Sequence, residues 1–106
     1  MNESEFLRAA TSVLNAIEAA IDASGCDIDI ERKSDGVLEL EFGHGTHIIV
    51  NLQSPMRQIW IAAKAGGFHF SWQSGRWIDT RSGEEFFAVL SAHATAQSGE
   101  AVALAP

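Results

Sequence analysis

The sequence predicts an α+β fold in two layers, an antiparallel sheet of about six short strands with an N-terminal and a C-terminal helix packed on one of its faces. Three observations predict it. Apolar residues recur every three or four positions near both ends of the chain, the period of amphipathic helices. Between them lie short segments in which apolar and polar residues alternate, the period of half-buried strands. These segments are joined by pieces of hairpin length, too short for helical crossovers, so neighbouring strands run antiparallel. The 106 residues suffice for one domain over 1–106, and no repeat or linker divides them.

In the first helix, Glu3 to about Ala23, the stripe is Phe6, Ala10, Val13, Leu14, Ile17 and Ile21. Asn2 can cap it, with Glu5 completing a capping box, and Gly25 ends it. Asp27-Ile28-Asp29-Ile30-Glu31 then alternates strictly, isoleucines inward and carboxylates outward. After a turn at Ser34-Asp35-Gly36, Leu38, Leu40 and Phe42 face one way and Glu39 and Glu41 the other. A second turn at Gly43-His44-Gly45 leads to strands over His47 to Leu52 and Gln58 to Ala63. A Gly66-Gly67 turn opens a fifth strand, Phe68 to Trp72, and Ser74-Gly75 precedes a short sixth strand carrying Trp77. Ser82-Gly83-Glu84-Glu85 has capping-box spacing before a second helix striped by Phe86, Val89, Leu90 and His93, running to about Gln97. Residues 98–106 read as a frayed tail.

Composition narrows the function. No apolar run approaches the ~20 residues needed to cross a bilayer. The first five residues are acidic where a secretory leader is basic, so a cytoplasmic protein without a membrane role is expected. Cys26 is the single cysteine, which excludes an internal disulfide or a thiolate cluster and leaves oxygen or imidazole as metal donors. Residues 1–41 hold ten acids against three bases and so carry the whole net charge of −7. Such a field repels phosphate backbones and attracts cations or basic protein surfaces, which argues against nucleic acid; solubility alone also accounts for it. No nucleophile motif or phosphate loop is present, and His44, His47, His69 and His93 fall on different elements without metal-pair spacing.

The carboxylates are better candidates. Glu18 and Asp22 lie one turn apart on the first helix, and Asp27, Asp29 and Glu31 share a strand face at steps of about 7 Å. Hard ions such as iron take oxygen ligands, and a row this wide offers pairs of them without closing a cage, so any metal keeps water and binds weakly. The same row also serves as edge-strand protection. The second candidate is Trp60, expected on the open face of the sheet near Asn51 and Gln53, where an exposed tryptophan among amides suits protein contact.

Asn51-Leu52-Gln53-Ser54-Pro55, Gln58-Ile59-Trp60-Ile61-Ala62 and Gly66-Gly67-Phe68-His69-Phe70 resemble the frataxin family in its bacterial branch. Trp77 and Arg81-Ser82-Gly83-Glu84-Glu85-Phe86-Phe87 continue the match, which spans nearly the whole chain. The resemblance implies the same helix-sheet-helix sandwich. It implies weak, surface-bound iron (Fe2+/Fe3+) on a ridge of Glu18, Asp22, Asp27, Asp29 and Glu31, and docking of that ridge on a cysteine desulfurase. The cluster-assembly scaffold is a further implied partner, with Asn51, Gln53 and Trp60 on the contact face. The implied role is a non-enzymatic regulator of iron-sulfur cluster assembly, monomeric without iron and able to oligomerise with it. The alternative is a ferroxidase or an iron-storage or iron-donor protein, which normally needs a close di-iron site that the spacing does not supply. Ala19 and Ala23 stand where many bacterial relatives carry acids, so iron capacity is expected to be lower.

Overall fold

Asn2 opens the first helix, α1 (Glu3–Ser24), through a complete capping box: its side chain accepts from the Glu5 N–H, and the Glu5 carboxylate accepts from its own N–H. Gly25 closes the helix in the left-handed region at φ 71°, where a side chain would be strained. The computed structural model describes residues 1–34 and 36–106. Asp35, the centre of the turn expected at Ser34-Asp35-Gly36, lies outside the described residues. The strands are β1 (Ile28–Arg32), β2 (Val37–Phe42), β3 (His47–Gln53), β4 (Gln58–Ala63), β5 (Gly66–Gln73) and β6 (Arg76–Asp79), followed by α2 (Phe86–Ser98). A short 3-10 turn, Ser54–Met56, separates β3 from β4.

The strands pair in chain order, each antiparallel to the next, so the sheet is a six-stranded meander. Its inner face meets both helices. Phe6, Leu14 and Ile17 of α1 pack with Leu38, Leu40, Ile48, Val50, Ile59, Ile61 and Phe70 of the sheet and with Phe86 and Leu90 of α2, each essentially without solvent contact. The two-layer α+β sandwich expected from periodicity is the observed fold, and all six residues of the α1 stripe are buried. Among the described residues no helix is long and apolar enough to cross a membrane.

Three local expectations are corrected. The turn between β4 and β5 is Lys64-Ala65, while Gly66 and Gly67 already pair with Ala63 and Ala62, so the glycines begin the strand instead of forming the turn. The second helix starts at Phe86 with Glu85 as its cap, accepting from the Phe87 and Ala88 N–H groups, and not at Ser82. The physical reason is Asp79, whose buried carboxylate accepts from the Arg81 and Ser82 N–H groups and holds that stretch in a turn. The third correction concerns the 98–106 tail, which docks. Val102 and Leu104 are each 5% exposed, and their backbones exchange hydrogen bonds with the Thr95 and Ser91 hydroxyls of α2. Two apolar side chains and four satisfied backbone groups outweigh the ordering entropy of a short segment.

Gln97 fastens the far end of α2. It is 7% exposed; its amide nitrogen donates to Thr46 Oγ1 and the His47 carbonyl, both at 3.1 Å, and its oxygen accepts from the Lys64 N–H at 2.9 Å. One side chain thereby ties the helix to the β2–β3 and β4–β5 turns. Gln97→Ala strands the Lys64 N–H and is expected to cost about 1–3 kcal/mol. Leu104→Ala is expected to cost about 2 kcal/mol. Urea unfolding at unchanged m-value checks both; a midpoint as in wild type for Leu104→Ala would mean the tail contributes nothing.

Candidate functional site

The alternation that turns Ile28 into the core and Ile30 partly into it turns Asp29 and Glu31 onto the open face of the sheet, both exposed. The β1–β2 register then sets Asp29 opposite Glu41 and Glu31 opposite Glu39. Four carboxylates therefore form two cross-strand pairs, with side chains on the order of 5 Å apart at their roots. Glu39 and Glu41 were expected to point outward but were not counted among the ridge residues. Their alternation with Leu38, Leu40 and Phe42 was the available signal, and their partners depended on the register.

Like charges placed opposite one another are unfavourable, and the neighbours supply compensation. Lys33 Nζ lies 3.1 Å from Glu39 Oε1, His47 Nδ1 lies 3.0 Å from Glu39 Oε2, and His47 Nε2 lies 3.9 Å from Glu41 Oε2. The hydrogen bond to Glu39, then its charge, raises the Lys33 pKa above 10.5. Asp22, Asp27, Asp29 and Glu31 have no ion-pair partner among the described residues.

Around the edge of the sheet, Glu18 and Asp22 of α1 and Asp29 of β1 line a groove of about 600 Å³, with Cys26 half-buried in its wall. Glu18 differs from the other acids. Arg32, on the inward-facing side of β1, pairs with its carboxylate and also donates to Asn15 Oδ1 at 3.0 Å. The pair is partly exposed, so its strength is modest and a competing cation can open it. Asp27 precedes β1 and is exposed, its carboxylate beside Gly43. Among the described residues no group of three or more His, Cys, Asp or Glu is placed to hold a metal ion. The carboxylates are hard oxygen donors set out in cross-strand pairs.

Farther along the same face, Asn51 stands directly opposite Trp60, and Gln53 opposite Gln58. Trp60 is half-buried, not bare. His69, its partner on β5, stacks on the indole at 4.1 Å with 9° between the rings, and the indole N–H donates to Gln58 Oε1 at 2.7 Å. The ring is held rigid by these contacts, a platform with little entropy left to lose on contact with a partner.

This sheet, covered on one side by two helices and carrying an acidic edge, defines a class. The model of the frataxin-like domain matches residues 1–100, and the chain belongs to the frataxin-like family. It is 57% identical over 106 residues to the iron-sulfur cluster assembly protein CyaY of Paraburkholderia phymatum, covering 100% of both chains. It is 60% identical over 102 residues to the protein of the same name from Paraburkholderia phytofirmans, covering 96% of each. Among solved structures it superposes on the frataxin from Psychromonas ingrahamii with a TM-score of 0.92 at 40% identity, over 100% of each chain. The resemblance carried by the Asn51 to Phe70 motifs is thus confirmed at the level of family and fold.

Glu39→Gln is expected to return the Lys33 pKa toward 10.5, measured by NMR titration of the lysine side chain. Because the folded-state pKa is the raised one, the stabilisation from Lys33 is full below about pH 10.5 and is lost as the pH climbs through the raised value. An unchanged Lys33 titration in the variant would show that Glu39 is not its partner in solution.

Proposed function

We propose that this chain serves iron-sulfur cluster assembly as a non-enzymatic adaptor, carrying iron weakly on its acidic edge and docking there on a basic surface of a cysteine desulfurase. The observation that carries the reading is the pair of cross-strand carboxylate couples, Asp29 with Glu41 and Glu31 with Glu39, continuous around β1 with Asp27, Asp22 and Glu18. Ferrous and ferric ions are hard and favour such oxygens; two protein ligands and a shell of water give affinity low enough for release. The names of its relatives place them in the same assembly process.

The charge has a second use. Seven net negative charges, all within residues 1–41, steer a basic partner toward the same edge and speed encounter. In this reading Asn51, Gln53 and Trp60 form the neutral part of the contact, beside the acids on the open face, and the assembly scaffold is a further partner there. Glu18 contributes only after Arg32 yields it, and Glu39 only after Lys33 does, so the acids without an ion-pair partner, Asp22, Asp27, Asp29 and Glu31, load first.

Calorimetric titration of the anaerobic protein with ferrous iron tests the reading. Saturable heat is expected in wild type, with affinity reduced about tenfold or more in the Asp27→Asn, Asp29→Asn, Glu31→Gln triple variant. Desulfurase affinity measured on the same variant is expected to fall as well. Absence of saturable iron binding in wild type would reduce the acids to a docking surface, and unchanged desulfurase affinity in the variant would remove the docking role.

A further inference from the structure

Trp60 shares its place on the open face with a titratable ring. His69, opposite it on β5, lies nearly parallel to the indole, with 4.1 Å between ring centroids and 9° between planes. The indole N–H donates to Gln58 Oε1 at 2.7 Å, so the ring cannot turn away without losing that bond. Both rings are half-buried, which leaves each partly within reach of a docking surface. A neutral imidazole makes the stack one flat, uncharged platform; a protonated one makes it an imidazolium resting on an indole.

The surroundings of His69 decide what that charge does. On this face its neighbours are Gln58, Trp60 and Ala62 on β4 and Gly67 and Ser71 on its own strand. Toward β6, Ile78 pairs with Ser71, and the Thr80 N–H donates to the His69 carbonyl. None of these side chains titrates. Both helices pack on the other face, and there Asp79, Arg81 and Glu84 line a cavity with Phe68 and His93. Arg57, just before β4, donates to the Ser54 carbonyl. The carboxylates of the open face stand on β1 and β2, the nearer of which is three strands from β5. Among the described residues, therefore, no carboxylate faces His69, and a surface that covers it must desolvate any positive charge there unpaired. A basic partner has the wrong sign to supply the missing acid. We infer that His69 gates the Trp60 contact by protonation: docking of a basic protein surface requires the neutral imidazole and is lost as the pH falls through its titration. This regulation rests on the docking proposed above and acts on its neutral part, away from the acidic edge.

The test measures affinity of the full chain for the cysteine desulfurase, without iron, at about pH 8 and about pH 6. Wild type is expected to weaken about tenfold more across that interval than His69→Gln or His69→Phe, two variants that stay neutral throughout. His69→Lys, charged throughout, is expected to bind about tenfold more weakly than wild type at the higher pH. His47, beside Glu39 on the acidic edge, and the partner's own groups are common to every variant, so the difference isolates His69. The Trp60 indole signal in nitrogen-proton NMR spectra reports that each variant keeps its fold. An equal loss of affinity in wild type and both neutral variants, or undiminished binding by His69→Lys, would overturn the gate. A Trp60→Ala variant that binds like wild type would remove the contact and the gate with it, leaving docking at the acidic edge in place. No binding by wild type at either pH would overturn the docking reading and the gate together.

Discussion

The two-residue period of a β-strand binds the core of this protein to its acidic face. Turning Leu38, Leu40 and Phe42 toward the helices turns Glu39 and Glu41 outward, and turning Ile28 inward turns Asp29 outward. A slip of one residue along β1 or β2 would drive these carboxylates into the hydrophobic layer, where an unpaired charge is untenable. The pattern that stabilises the sandwich is therefore also the pattern that presents the acids. Substitutions on the outer face can change charge with little effect on the core, which makes this edge suited to a binding role.

Presenting like charges on adjacent strands has an electrostatic cost. Lys33 offsets it at Glu39, where the His47 ring also lies within hydrogen-bond reach, and Arg32 offsets it at Glu18. The remaining acids, Asp22, Asp27, Asp29 and Glu31, stand in water without an ion-pair partner among the described residues. Because β1 is an edge strand, the same charges oppose pairing with a strand of another molecule. Protection of the edge and attraction of cations follow from one arrangement and do not compete.

The opposite end of the molecule is built differently. Its contacts are aromatic, with Phe6 edge to face on Trp77 at 5.8 Å and Phe70 on Phe86 at 5.1 Å. Polar groups lock α2 in place along its length: part-buried Ser91 and Thr95 hold the terminal segment, and at the helix's far end, toward the β2–β3 and β4–β5 turns, buried Gln97 ties it to the sheet. The segment closes over α2 because Val102 and Leu104 are spaced to bury together while the hydroxyls satisfy the backbone between them. The charged edge and the aromatic end are held by different forces, hydration and Coulomb attraction at one, packing at the other.

The sequence by itself determined the elements and their faces, since both rest on short-range rules. The helical period at Phe6 to Ile21, the alternation at Asp27 to Glu31 and the turn residues between strands each act within a few positions. Family membership was legible for a related reason, because the Asn51 to Phe70 motifs are contiguous in the chain. Only the tertiary structure decided which residues meet across elements. The pairing of Asp29 with Glu41, the capture of Glu18 by Arg32, the stacking of His69 on Trp60 and the docking of Val102 and Leu104 depend on register and on the seating of helices against the sheet. Those are set by the packing of the whole core, in which no local window of sequence contains both partners.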